Sequence, residues 1–487
     1  MKTKSLLPIL LLTASAHTTA MTLTLSECIQ RARTQSVDAA MALNTLRSAY
    51  WDYRSYRANL LPEMSFSATA PAYNKRYSTY QREDGSYTYV RNDYLESSGT
   101  LSMTQRIWAT GGTLSLTSSL DYLHQFGSFS SSANSFMTQP VALSLNQPLF
   151  GVNSTKWNRR IQPVRYREAK ANYLIATEHV AMTAIQYFFD LLLAREQVAT
   201  AQQNLQNTEK LYEVALAKRQ MGKISENDVR QMKLNLLQAQ STLTSNESAA
   251  KVRLFNLQSF LGTEEEIELS APEETPNVEL RYEEVLTYAL ENNSHALNLR
   301  RRQLEADYNV ASAKANQRSV TLSAQVGFTA TDPRLGETYR NLRDKQVVQV
   351  GLSLPILDWG KRKGQVRMAE SNRELVKDRL KQEAQEFRQN VFVLTEQFNN
   401  QRQQLMVAIE ADTIANLRYE ASTETFRIGN ISILDLNDAQ SSKDNARYKK
   451  LNELYRYWYY YYQIRSLTLW DFAENHNIDA DFENIVR

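Results

Sequence analysis

Apolar and small residues recur in alternating steps of three and four along two long stretches of the chain. The first series is Ala184, Tyr187, Leu191, Ala194, Val198, Ala201, Leu205, Thr208, Tyr212 and Ala215. A second series lies 207 residues later, from Val391 to Ser422, and polar residues break it at Gln401 and Asp412. This is the heptad spacing of helices that pack side by side, so each series predicts a long helix.

A similar turn follows each series. It reads Gly222-Lys223-Ile224-Ser225 in the first case and Gly429-Asn430-Ile431-Ser432 in the second. A return helix after each turn completes two predicted hairpins, over residues 164–261 and 366–469, whose limbs of ~50 to 60 residues would be ~75 to 90 Å long. The shared offset indicates a duplicated half, with a first repeat over residues 21–271 and a second over 272–472.

Strict alternation of apolar with small polar residues precedes each hairpin. It predicts strands over about 63–71, 140–147, 320–329 and 346–354. Such alternation is typical of a half-buried strand and of a membrane barrel with lipid outside and water inside. Residues 1–20 have the pattern of an export signal, which favours the barrel. Four strands cannot close a barrel, and lipid does not tolerate open sheet edges. Three copies would pool twelve strands.

The first copy contains an insertion, over residues 72–139, that is rich in Tyr, Ser and Gly. Residues 101–121 alternate and are interrupted by Gly111-Gly112, which is a hairpin signal. The insertion is either an external loop with its own hairpin or two additional barrel strands, and we favour the loop.

The ends of the repeats carry further signals. A helix is predicted over residues 22–61, with Ser26 as its cap and Pro62 at its end. Near the C-terminus, Tyr455 to Tyr462 holds seven aromatic residues in eight. That run is either a membrane-interface belt or helix packing, which we favour. Residues 473–487 are expected to be a weakly ordered polar tail.

Composition narrows the class of protein. The net charge is +3, from 56 basic and 53 acidic residues, which gives no reason to expect a nucleic-acid partner. The one cysteine and five scattered histidines predict neither a disulfide framework nor a metal site, and no cofactor is expected. We find no catalytic motif, so an enzyme is improbable. Residues 1–20 have the charged start, short apolar run and small cleavage-site residues of an export signal.

The order of these elements closely resembles the outer-membrane efflux protein (TolC) family. The most specific residues are Ala289-Leu290-Glu291-Asn292-Asn293, Leu60-Leu61-Pro62, the segments 145–150 and 352–357 after the strands, and the two glycine turns. The resemblance implies a homotrimer in the outer membrane of a Gram-negative bacterium, with a twelve-stranded barrel continued by a helical tunnel across the periplasm. It also implies a passive exit duct for an efflux or type I secretion system, with a periplasmic adaptor and an inner-membrane pump of RND, ABC or MFS type.

The resemblance also implies roles for residues at the two turns. Asp435 and Asp438 match aspartates that ring the tunnel entrance, and Asp228 matches one that helps to hold it shut. The residues Gly222, Lys223, Gly429 and Asn430 match the tips that contact the adaptor. The family's gating arginine and tyrosine are replaced here by Ile431 and Phe426. Asp435 and Asp438 could instead cap the return helix.

Two other functions fit parts of the pattern. A periplasmic adaptor also uses a helical hairpin, but it would have one hairpin flanked by glycine-rich β-domains. A structural rod would need no amphipathic strands. The channel is therefore the favoured function.

Overall fold

The computed structural model describes residues 21–126, 133–272, 274–317, 319–353, 356–428, 431 and 433–486. Two compact units account for the fold. The helical unit comprises Met1–Leu46, Lys170–Asn293 and Glu386–Arg487, and the sheet unit comprises Arg47–Ala169 and Ser294–Gln385. Each unit takes segments from both predicted repeats.

The elements follow one another in the same order twice. The first part contains β1 (Met21–Leu23), α1 (Leu25–Gln35), α2 (Val37–Ala58), β2 (Glu63–Gln81), β3 (Tyr87–Arg106), β4 (Thr113–Phe126), β5 (Ala133–Pro148), α3 (Ser154–Gln220) and α4 (Glu226–Leu261). The second part contains β6 (Ile267–Leu269), α5 (Tyr282–Asn292), α6 (Ser294–Ala315), β7 (Ser319–Asp332), β8 (Arg343–Ser353), α7 (Lys361–Ile428) and α8 (Ile433–Thr468). The chain ends with β9 (Trp470–Asp471), β10 (His476–Asn477) and α9 (Phe482–Val486). The architecture is mainly helical, with a tandem repeat of helix pair, strands and long hairpin.

The predicted single helix over 22–61 is two helices, α1 and α2, separated at Ser36. Ser36 has extended backbone angles, and its hydroxyl accepts a hydrogen bond from Ala39 N at 3.1 Å. Asn293 separates α5 from α6 with nearly the same backbone angles. The start also differs, because Thr24 rather than Ser26 forms the capping box with Glu27. Ser, Thr and Asn all bond neighbouring backbone groups, which favours helix ends over helix interiors.

Six strands form one antiparallel sheet, in the order β2-β3-β4-β5-β7-β8. All four predicted strands are present, and each is extended at one or both ends. The expectation of an external loop over 72–139 is wrong, because β3 and β4 pair along their lengths between β2 and β5. The sheet of one chain therefore has six strands rather than four among the described residues.

The predicted heptad positions lie in the packed interior of the helical unit. Ala184, Leu191 and Ala201 in α3 are buried, as are Val391 and Phe398 in α7. The two polar positions have partners on α8. Gln401 Nε2 donates to Glu453 Oε2 at 2.5 Å, and Lys450 Nζ lies 2.8 Å from Asp412 Oδ2. The hairpins themselves begin earlier than predicted, at Ser154 and Lys361, and α3 continues through Pro163.

The main hydrophobic core also lies in the helical unit. Its largest fully buried side chains include Phe188, Phe189, Phe398, Tyr457 and Tyr461. The aromatic run near the C-terminus therefore packs in a protein core, as favoured from the sequence. The C-terminal segment is less detached than expected, because Ile478 and Phe482 pack against Leu174 and Leu469. Among the described residues, no helix has both the length and the apolar composition needed to cross a membrane.

Candidate functional site

The turn between α3 and α4 is a compact helix-ending motif. Gly222 has φ +67°, its N–H donates to Arg219 O at 2.8 Å, and Lys223 N donates to Lys218 O at 2.9 Å. These two bonds satisfy carbonyls of the last helical turn, and the left-handed backbone angle favours glycine over residues with a Cβ. Gly222 and Lys223 are exposed, so this predicted tip is accessible in the chain.

Asp228 is held by the first turn of α4. Its Oδ2 accepts hydrogen bonds from Ser225 Oγ at 2.7 Å and from Ser225 N at 2.9 Å, while Asp228 N donates to Ser225 Oγ at 3.2 Å. The Ser225 hydroxyl and then its backbone N–H lower the pKa of the Asp228 carboxyl. This reciprocal pattern is a capping box, in which Ser225 is the N-cap of α4 and the ionised, exposed side chain of Asp228 is its partner.

One salt bridge joins the two limbs on either side of this turn, and a second lies within α4. Glu226 on α4 lies 3.0 Å from Arg219 on α3 and 2.9 Å from Arg230 one turn further along. All three side chains are about half exposed or more, so each pair contributes at most about 1 kcal/mol. These salt bridges therefore stabilise the turn only weakly.

Asp435 and Asp438 lie in the first two turns of α8, and both are exposed. Asp438 has an ion pair that the sequence reading did not identify. Arg418 on α7 approaches Asp438 with Nη2–Oδ2 2.6 Å and donates to Ser442 Oγ at 3.4 Å. The pair joins the two limbs of the second hairpin. Gly429 and Asn430, the remaining predicted tip residues, lie outside the described residues.

The arginine that the family resemblance places two residues after the second glycine is replaced by Ile431, but Arg418 pairs with Asp438. Residues facing each other across a hairpin are nearly equidistant from its turn, and Arg418 lies eleven residues before Gly429 while Asp438 lies nine residues after it. That spacing is a signal by which the pair could have been predicted.

Polar contacts hold the two hairpins together within the helical unit. Asn204 on α3 donates to Asp444 Oδ2 on α8 at 3.0 Å, and Asn207 donates to the Tyr419 hydroxyl on α7 at 3.2 Å. Arg447 on α8 lies 3.0 Å from Glu196 on α3. These contacts are partly exposed and electrostatic, so they can be exchanged at lower cost than buried apolar packing.

In the part of the chain that the structure describes, no group of His, Cys, Asp and Glu side chains could hold a metal ion. A family model described as "Outer membrane efflux protein" matches residues 28–263 and 286–467. The chain belongs to the outer membrane efflux protein family. As a member of this family it is a passive efflux channel of the Gram-negative outer membrane that extends into the periplasm, and it is not an enzyme. Channels of the outer membrane efflux protein family are trimeric and act with adaptor proteins and inner-membrane pumps.

Several solved channels have the same fold. The Campylobacter jejuni CmeC outer membrane channel is 16% identical over 94% of this chain and 88% of that chain, with a TM-score of 0.64. VceC of Vibrio cholerae is 15% identical over 93% and 97%, with a TM-score of 0.62. The open state of the Neisseria gonorrhoeae MtrE channel is 16% identical over 94% and 91%, with a TM-score of 0.60. No curated protein matches in sequence.

The adaptor and rod alternatives are not favoured by these findings. The chain has two long hairpins, α3–α4 and α7–α8, and a six-stranded amphipathic sheet between its helices. An adaptor would have one hairpin, and a structural rod would need no amphipathic strands.

Proposed function

We propose that three copies of this chain assemble into one duct, through which substrates delivered by an inner-membrane pump leave the cell passively. The observation that carries the proposal is the sheet, whose outermost strands β2 and β8 each pair on one side only within the described residues. Apolar side chains of these strands are exposed, among them Phe66 at 71% and Val348 at 75%. Open strand edges are too costly in lipid, so neighbouring copies must pair them.

The partners follow from the same arrangement. Outer-membrane lipid would surround the apolar face of the sheet, and an adaptor would contact the hairpin tips at Gly222, Lys223, Gly429 and Asn430. An RND, ABC or MFS pump would deliver the substrate. Residues 1–20 would direct export and be removed, and the two repeats, 21–271 and 272–472, would each supply one hairpin to the periplasmic part.

The entrance of the duct would be ringed by carboxylates. Asp435 and Asp438 from three copies would surround one axis, with Asp228 beside them as the cap of α4. Like charges in a constriction attract cations. The Arg418–Asp438 pair, with 2.6 Å between Nη2 and Oδ2, offsets part of that charge.

Replacing both Asp435 and Asp438 by asparagine is expected to lower cation selectivity about a hundredfold. A carboxylate ~8 Å from a permeating ion contributes about 0.5 kcal/mol in water, so the six of three copies contribute about 3 kcal/mol, which is roughly two factors of ten. Single-channel recording in planar bilayers, with salt gradients and added divalent cations, measures the effect. Arg418→Gln is the control of opposite sign, because it uncovers Asp438 and should increase selectivity. Unchanged selectivity and divalent block in both variants would show that these groups only cap or brace the helices.

Electron microscopy of the full-length protein in mild detergent tests the assembly. The expected particle has three-fold symmetry, a detergent-covered sheet region and an attached helical cylinder. A monomer, or a particle without three-fold symmetry, would contradict the proposed duct.

A further inference from the structure

The strands β3 and β4, for which the sequence favours an external loop, lie inside the sheet. β3 pairs with β2 from Glu63↔Thr104 onward, and β4 pairs with β5 from Thr113↔Asn146 onward. Because β3 and β4 also pair with each other, from Arg106↔Thr113 to Asp93↔Phe126, they separate β2 from β5. They cannot leave the sheet unless β2 finds a new partner.

The register carries one apolar row through the inserted strands. Met64, Met103, Leu116, Leu143 and Val326 are successive cross-strand partners on β2, β3, β4, β5 and β7. These five side chains are 41% to 72% exposed in the chain. A second row lies two residues along each strand, toward the end of the sheet that bears the helices. It joins Leu114, Leu145, Ala324 and Val348. A hairpin in water outside the membrane would gain nothing from an exposed apolar band.

The opposite face of the same strands is small and polar. Ser65, Ser102 and Thr117 are successive partners on β2, β3 and β4. Ser65 and Ser102 are hydrogen-bonded through their hydroxyls at 2.8 Å, and Thr104 and Ser115 at 3.3 Å. Apolar residues on one face and small polar residues on the other are the pattern of a strand between lipid and a water-filled lumen.

The turn between β3 and β4 returns to the helix-bearing end of the sheet. Asn153, the residue before α3, donates through Nδ2 to Trp108 O at 2.9 Å and to Ala109 O at 3.1 Å. Gln147 at the end of β5 donates to Thr110 O at 3.1 Å. The chain therefore descends along β3 to the level where α3 begins and rises again along β4, so both strands traverse the height of the sheet.

We propose that β3 and β4 are part of the membrane wall, so that three copies form an eighteen-stranded barrel in place of twelve strands. The proposal rests on the trimeric duct proposed above. Six is an even number, so β8 of one copy can pair antiparallel with β2 of the next and close the barrel without a parallel contact. At a strand spacing of ~4.8 Å and a tilt of ~40°, eighteen strands give a barrel ~36 Å across, against ~24 Å for twelve. The barrel would then be about half as wide again as one of twelve strands.

Cysteine labelling of two neighbouring positions on β4 tests whether that strand is in the wall. The native Cys28 is fully buried in α1, and burial raises the pKa of its thiol to about 12, so background labelling is low. In full-length protein in liposomes, Ser115→Cys should react with a charged, membrane-impermeant thiol reagent at least tenfold faster than Leu116→Cys. A fluorophore at Leu116→Cys should be quenched by nitroxide-labelled lipid, and one at Ser115→Cys should not.

The matched control is the corresponding pair on β7, a strand that the sequence already predicted. Val326 shares the apolar row with Leu116, and Gln325 faces the other way. If Gln325→Cys and Val326→Cys show the contrast while the β4 pair reacts equally with the polar reagent and neither fluorophore is quenched by lipid, β4 lies outside the membrane and the inference fails.

The strand count in a reconstruction by electron microscopy separates this inference from the proposed function. A three-fold particle with eighteen strands supports both. A three-fold particle with twelve strands leaves the duct in place and overturns the wider barrel. A particle without three-fold symmetry overturns the duct and with it the inference.

Discussion

Replacing Arg465 by methionine is expected to destabilise the helical unit by about 3 to 5 kcal/mol. Arg465 on α8 lies 3.1 Å from Glu178 on α3 and also pairs with Asp471 on β9. Both carboxylate side chains are almost fully buried, with 1% and 5% exposed. Methionine keeps most of the side-chain volume but leaves two buried carboxylates that have lost a cation, which is the costly way to break a buried ion pair.

The expected loss of stability depends on the other partners in the cluster of charged and polar side chains around Arg465. Arg33 on α1 also contacts Glu178, and the Tyr461 hydroxyl donates to Asp471 Oδ1 at 2.5 Å. Burial would lower the pKa of Arg465, but the Glu178 and Asp471 carboxylates raise it overall. Burial and the bond to Asp471 raise the pKa of Tyr461. The cluster thus joins α1, α3, α8 and β9 in one network of ion pairs and hydrogen bonds.

The pH dependence of stability follows from Asp471. Burial would raise the pKa of Asp471, but the Tyr461 hydroxyl and the Arg465 guanidinium outweigh it and lower that pKa below its ordinary value. A lowered carboxyl pKa contributes stability above the unfolded-state value of ~3.9 and loses it as pH falls through the folded-state value. The difference in stability between wild type and Arg465→Met should therefore shrink below about pH 4.

Thermal unfolding in detergent, followed by the helical circular dichroism signal, measures this prediction. Arg447→Met is the matched control on the same helix, since Arg447 pairs with Glu196 at 3.0 Å but is 45% exposed. Its loss should cost at most about 1 kcal/mol. If the two variants lower the unfolding temperature equally, burial does not determine how much the Arg465 cluster stabilises the protein.

The helical part of the fold could be predicted because its information is local. A heptad series names the residues that face a partner helix, and Ala184, Leu191 and Val391 are buried as that series requires. Even its polar positions are explained by the hairpin, since Gln401 and Asp412 find partners on the returning helix. Helix ends are harder to predict. Ser36 and Asn293 separate consecutive helices, but serine and asparagine also occur inside helices, so the residue type alone does not mark the end.

The arrangement of the sheet cannot be predicted from local sequence alone. Residues 101–121 alternate as clearly as the four predicted strands, and the turn at Gly111 has φ +79°. Whether such a hairpin joins the sheet depends on pairing with β2 and β5, whose residues are remote in sequence. The Arg418–Asp438 pair is of intermediate predictability. The hairpin brings the two helices together, but an ion pair between exposed side chains contributes little free energy to its own formation.

Replacing Gly327 by valine is expected to prevent most of the protein from reaching its folded, membrane-inserted state. Gly327 on β7 is buried opposite Ala142 on β5, beside a register shift between Thr138 and Ala142. A Cβ at Gly327 would lie 2.5 Å from Val141 O and 2.8 Å from Ala142 Cα. Both are backbone atoms that cannot rotate away, so the strands must separate, at a cost of about 3 kcal/mol or more.

Gly351→Val is the matched control for Gly327→Val. Gly351 lies on the same face of the adjacent strand β8, where the nearest atom to an added Cβ is Thr321 O at an ordinary 3.7 Å. Expression in outer membranes, with heat-dependent gel mobility as the measure of folded sheet, should show a severalfold loss for Gly327→Val and little for Gly351→Val. If both variants fold normally, the close approach of β5 and β7 is not required for the sheet. If both fail, added side-chain bulk on this face is sufficient to disrupt assembly, and the register shift at Ala142 has no special role.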